Sequence, residues 1–339
     1  MSGGVVDLHV HFGAPPDEES GCYWSKEFES TLAYFAMLLA TRSLFKRISI
    51  HTVLKHLRKT IDGAKRVDKI VVLAMDQVYD ESGVVHRDKT HLYVPNEYVA
   101  ELCRSNDRML LGASVHPYRN DWQDALSECL AQRAVLCKWI PSSQLIDPTH
   151  PKCIPFYRTL AERNLPLLCH AGPEYSIPTS DTAYIKYNNP KHLRTALDEG
   201  VTVIAAHCSL PYFGFLDVDY QDDFEEFLKL FDEAEGKGWK LYADLSATAS
   251  FFRAVDMEEI RDHIPHTRLL YASDYPVPLS ELCYNRSKGF LRWITFLVKA
   301  ARIRNLLDKN YYLIKNMGFN ECVFTTAQEL FAAIRYDNS

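Results

Sequence analysis

"VVDLHVHFG", residues 5–13, is an apolar run that carries one acid and two histidines at alternate positions. On a β-strand, residues i and i+2 share a face, so Asp7, His9 and His11 point the same way. Burying such groups unpaired is costly. Their partners must come from elsewhere in the chain.

Seven further runs resemble the first: "DKIVVLAM" (68–75), "RMLLGASV" (108–115), "AVLCKWI" (134–140), "LPLLCHA" (165–171), "VTVIAAH" (201–207), "WKLYADLS" (239–246) and "RLLYASD" (268–274). They are nearly continuous apolar stretches rather than alternations, the pattern of strands buried on both faces. Helical periodicity separates them at 94–106, 121–133, 154–164, 189–200 and 220–238. Several of these segments open with Asp, Asn or Pro and two close on Gly, as helix caps require. Eight strands alternating with helices predict an α/β fold, a (β/α)8 TIM barrel, with residues 1–339 as a single unit. The alternative is an open doubly wound sheet, but the first run is not followed by the G-x-G-x-x-G of that fold. Two segments exceed a minimal barrel. Residues 14–66 form an excursion after the first strand, which such a fold would set near the barrel mouth. Residues 280–339 form a helical tail.

Charge and composition narrow the function. The net charge is -6, from 38 Lys and Arg against 44 Asp and Glu, with no basic block. That argues against nucleic acid as a partner. No uncharged stretch is long enough to span a bilayer, and the N-terminus lacks a signal-peptide pattern, so no membrane role is expected. Nine cysteines occur without a C-x-x-C spacing, and several lie in apolar runs. They read as buried thiols in a reducing, cytoplasmic setting. The expected partner is a small-molecule substrate; a homodimer is left open.

The chemistry-bearing residues gather at strand ends. His9 and His11 close the first run, Lys138 nearly closes the fourth, His170 the fifth, His207 the sixth and Asp274 the eighth. Barrel active sites form at the C-terminal ends of the strands. His9, His11, His170 and Asp274 together suit a divalent cation with one position open for water. Zinc is the default, and manganese, iron or cobalt also fit. Lys138 faces inward by parity with Ala134 and Leu136. Asp7, one layer deeper, is expected to accept the hydrogen bond that orients a ligand. Glu174, Arg119, Arg253 and Tyr275 are candidate substrate contacts from position alone. His116, closing the third run, reads as structural first and pocket-lining second.

From "DLHVH" to "ASDYP" the chain resembles the amidohydrolase superfamily of metal-dependent hydrolases. Within it, the chain looks closest to the amidohydrolase 2 branch, which includes aminocarboxymuconate-semialdehyde decarboxylase. The family signature is H-x-H on strand one, His on strands five and six, and Asp on strand eight. It is carried here by His9, His11, His170, His207 and Asp274. The resemblance implies a metal-activated water that cleaves an amide, ester or lactone, with Asp274 as catalytic base. It also implies two arrangements of the centre. In one, Lys138 is carbamylated and bridges two ions, the second held by His170 and His207. In the other, one ion is bound and His207 acts as acid/base in non-oxidative decarboxylation or hydration of a small carboxylic acid. The deaminase-like members carry a Glu three residues after their strand-five His, whereas Glu174 is four residues after His170. A non-catalytic binding barrel is the reading from a different class, disfavoured by the full ligand set.

Overall fold

The computed structural model describes residues 4–43, 48–211, 221–250, 253, 257–281 and 289–336. Cys283, the first residue of the 220–238 segment, and parts of the 14–66 and 280–339 segments lie outside the described residues. Ten strands form among those described: β1 (Val6–His11), β2 (Tyr23–Trp24), β3 (Lys69–Leu73), β4 (Leu92–Tyr93), β5 (Met109–Ala113), β6 (Leu136–Trp139), β7 (Leu167–Cys169), β8 (Val203–Ala205), β9 (Leu241–Asp244) and β10 (Leu269–Leu270). All but β2 and β4 join one parallel sheet in chain order, β1-β3-β5-β6-β7-β8-β9-β10. Each of its strands falls inside one of the eight apolar runs.

The sheet closes on itself. Leu8 N donates to Tyr271 O (3.4 Å), Asp274 N to His9 O (2.9 Å) and His11 N to Tyr275 O (2.9 Å). Val10 also bridges Tyr275 in parallel. A barrel therefore replaces the open sheet. Val6, Leu8 and Val10 are buried on one face of β1, and Asp7 and His9 are fully buried on the other. Helices flank the strands at 96–104, 122–131, 153–163 and 221–237, and shorter helical turns occupy 190–198.

The excursion after β1 is tied down rather than trailing. β2 pairs antiparallel with β4. Ser25 Oγ lies 2.8 Å from His91 Nδ1, and Ser25 N donates to His91 O (3.0 Å). Helix α1 (Leu32–Thr41) starts at Thr31, whose side chain accepts from Tyr34 N. The α1 sequence, LAYFAMLLAT, has no charged residue. The Trp24 ring packs on Phe28 and Tyr34, fixing α1 against the ribbon. Helix α2 (Ile50–Asp62) buries Val53, Leu57 and Ile61, a stripe at helical spacing. The tail is helical over 290–302, 306–316 and 326–332. It covers the last strand, with Tyr271 N donating to Val323 O (2.9 Å).

Among the described residues, eight cysteines are free thiols and no helix is long and apolar enough to cross a membrane.

Candidate metal centre and its cavity

Three ligand atoms converge at the barrel mouth. His9 Nε2 lies 3.1 Å from His11 Nε2, and Asp274 Oδ1 lies 3.6 Å from the first and 3.2 Å from the second. Ligand atoms about 2.1 Å from a tetrahedral zinc stand roughly 3.4 Å apart. The triangle has the edges that a single cation needs.

The residues behind it prepare it for that role. His9 Nδ1 is 2.7 Å from Asp244 Oδ2, and both side chains are fully buried. With a cation at Nε2, the ring proton sits on Nδ1 and donates to Asp244. Burial pushes the His9 imidazolium well below its ordinary range, which keeps the ring neutral. Burial also pulls the Asp274 carboxyl upward, but the hydrogen bond to His11 leads the opposing influences that hold Asp274 at about 2.

The turns after the strands aim the remaining groups. After β8 the backbone enters the left-handed region at His207, Cys208 and Ser209 (φ 59°, 49° and 52°). Such conformations in non-glycine residues cost about 1–3 kcal/mol each and gather at functional sites. His207 N donates to Asp244 Oδ1 (2.8 Å), and Ser246 Oγ lies 2.7 Å from His207 Nδ1. That nitrogen also lies 3.8 Å from Asp274 Oδ2. Asp274 itself has φ 59°.

His170 is held within its own loop. Its Nδ1 lies 3.1 Å from Glu174 Oε2 and its Nε2 lies 3.2 Å from Pro173 O. Glu174 in turn accepts from Ser176 N and Ile177 N. The His170 and His207 rings stand 5.1 Å apart, and burial holds His170 down at about 4.

Lys138 is 1% exposed, and the single polar contact of its side chain among the described residues is 3.4 Å, Nζ to His9 Nε2. No carboxylate among the described residues pairs with it. Burial, opposed by Asp244 and Asp274, lowers its pKa.

One cavity of about 840 Å³, counting its open mouth, reaches this centre. His11, Lys138, His170, Glu174, His207 and Asp274 supply most of its polar side.

Several sequence expectations need correction. Arg119 does not line the cavity. Its guanidinium is taken by Asp121 (2.8 Å) and Asp76 (3.3 Å). Arg253 is buried, donating to Leu210 O (2.6 Å) and Pro173 O (3.2 Å), so it braces the loops behind His170 and His207. Tyr275 turns away, its hydroxyl 2.7 Å from His56 Nδ1 on α2. Of the four proposed substrate contacts, Glu174 alone lines the cavity. Asp7 orients backbone rather than a ligand ring, since its Oδ1 accepts from Ser273 N (2.9 Å) and His9 N (3.3 Å). His116 is structural, with Nε2 2.8 Å from Gln144 O. The acceptor that does orient His9 is Asp244, which the sequence reading passed over. Its signal was the Asp ending "LYAD" on the seventh barrel strand, at the same depth as the other strand-end groups.

A comparison with curated protein sequences finds no match. Solved structures share the fold. An uncharacterised TIM-barrel protein from Bordetella bronchiseptica is similar with a TM-score of 0.57 at 13% identity, over 96% of this chain and 99% of that one. 5-carboxyvanillate decarboxylase from Sphingomonas paucimobilis is similar with a TM-score of 0.55 at 9% identity, over 98% and 100%. At such identities the likeness concerns the barrel alone. The amidohydrolase family matches the sequence itself over residues 69–310, well over half of the chain. The chain therefore belongs to the amidohydrolase family.

Proposed function

We propose that the protein is a metal-dependent hydrolase that cleaves an amide, ester or lactone of a small molecule, with one zinc ion held by His9, His11 and Asp274. The observation that carries this reading is the division of the Asp274 carboxylate. Its Oδ1 completes the ligand triangle, and its Oδ2 faces His207 at 3.8 Å. A bound divalent cation supplies Lewis acidity, which acidifies water and polarises a carbonyl. The side chains supply the rest. Asp244 fixes the His9 ring. Asp274 accepts a proton from water and returns it to the leaving group. His207, kept neutral by burial, stands beside that carboxylate to relay the proton.

A single ion is favoured because both His170 nitrogens are engaged by Glu174 and Pro173, and Lys138 touches His9 rather than His170. A neutral carbonyl substrate is favoured because the described lining holds no arginine.

The second reading is decarboxylation or hydration of a carboxylic acid with His207 as acid/base. It is favoured by His207 lying outside the His9–His11–Asp274 triangle, in a second group with His9 and Asp244. Turnover in H2¹⁸O separates the two. Zinc-loaded protein would be screened against neutral esters, lactones and amides and against aromatic and unsaturated acids. Incorporation of one ¹⁸O into the acid product supports hydrolysis. Release of CO2, or addition of water without cleavage, supports the second reading and overturns the first.

A further inference from the structure

The polar groups occupy only one end of the cavity. The remainder of its wall joins barrel strand ends, such as Leu73, Met75 and Ile140, to segments foreign to a minimal barrel. Ala33, Ala36 and Met37 of α1 line it, with Phe28 from the turn before α1. Leu92 and Val94 approach from the ribbon side. Met37 crosses close over the end of β1. A Cβ placed on Gly13 would stand 2.7 Å from its Sδ. The inner face of α1 is thus small at Ala33 and Ala36 and bulky at Met37, which shapes a slot rather than a flat wall. The ribbon pairing, the Thr31 cap and the Trp24 packing hold this wall in place before any ligand arrives.

From this segregation we infer that the substrate is a head-and-tail molecule. Its carbonyl head sits at His11 and Asp274, and an unbranched aliphatic or flat aromatic tail lies in the slot under α1, with Ala36 and Met37 setting the tail length it accepts. The inference rests on the metal-centre reading for its head and on the α1 wall for its tail. A charged or sugar-like tail would lose its hydration against this wall without new hydrogen bonds. An apolar tail gains about 0.8 kcal/mol per buried methylene, close to fourfold in affinity.

The test is calorimetric binding of n-alkyl hydroxamates, from acetohydroxamate to octanohydroxamate, to the zinc-loaded chain. The expected result is a roughly fourfold gain per methylene until the slot is full. Ala36→Trp should abolish the gain per methylene. Met37→Ala, which removes bulk and so serves if the tryptophan variant misfolds, should move the plateau to longer chains. Affinity independent of chain length in the native protein, or a gain that neither variant alters, overturns the inference. If acetohydroxamate itself does not bind, the metal reading has failed and the tail is judged separately. Metal-free protein should then bind 1-hexanol more tightly than 1-butanol by the same increment per carbon. Equal affinity for the two alcohols overturns the tail as well.

Discussion

The carboxylate of Asp244 and the imidazole of His9 meet at 2.7 Å, with no access to solvent. The other Asp244 oxygen accepts from His207 N, Ser246 N and Ser246 Oγ. One side chain therefore sets both the tautomer of a ligand and the turn that carries His207. Asp244→Asn keeps the shape but loses the charge. Zinc affinity should fall about 10- to 100-fold, as for other outer partners of metal-binding histidines. Competition with a chromogenic chelator would measure it, and unchanged affinity would remove Asp244 from the centre.

Lys138 offers a test of stoichiometry. Its ammonium is buried with no carboxylate partner among the described residues. Lys138→Met should raise the melting temperature by about 1–2 °C, about 1 kcal/mol, because it removes a polar group that burial penalises. Elemental analysis should give one zinc per chain before and after. A fall from two to one would instead assign Lys138 a carbamylated, bridging role.

Acid should weaken the metal-free protein in a defined window. Burial holds His116 at about 3 and His170 at about 4, against 6.5 for a free histidine. Between these values the unfolded chain binds protons that the folded chain refuses. The stability these residues contribute is full above about pH 6.5 and is lost as pH falls through 4 and then 3. Each contributes a slope of about 1.4 kcal/mol per pH unit there. Asp7, which burial raises to about 7, works the other way between 3.8 and 7. Urea denaturation of native protein and His116→Gln across pH 4–7 isolates the histidine. The variant should show the shallower acid limb.

Gly172 holds the loop between His170 and Glu174 at φ +87°, and a Cβ there would lie 3.0 Å from Ser209 O. Gly172→Ala should cost about 1–3 kcal/mol through backbone strain. The new methyl also pushes on the left-handed turn after His207. A melting temperature within 1 °C or so of the native value would show that the loop yields freely.

Much of this was legible in the chain. The eight strands could be read because a strand buried on both faces leaves a nearly continuous apolar run. His9, His11, His170, His207 and Asp274 could be placed because they end those runs. Lys138 could be turned inward by counting two from Leu136. What sequence could not give is direction after the strand ends. Arg119, Arg253 and Tyr275 lie in the expected loops, yet Asp76, the Pro173 and Leu210 carbonyls and His56 draw them aside. Those partners are 43 or more residues distant in every case but one spacing-independent neighbour, Asp121, and no local pattern announces them. The β2–β4 ribbon escaped for another reason, since two-residue strands carry no period.

The join between the first and last barrel strands has a temporal meaning. Asp274 N donates to His9 O, so two of the three converging ligands are bonded through their own backbones across that join. Residues 9 and 274 stand at nearly opposite ends of the sequence, and contacts of such separation form late. During synthesis, a chain that has not yet released residue 274 holds His9 and His11 without their carboxylate. The centre thus acts as a clasp that can be fastened only on a finished barrel, and an incomplete chain has no full set of ligands with which to capture an ion.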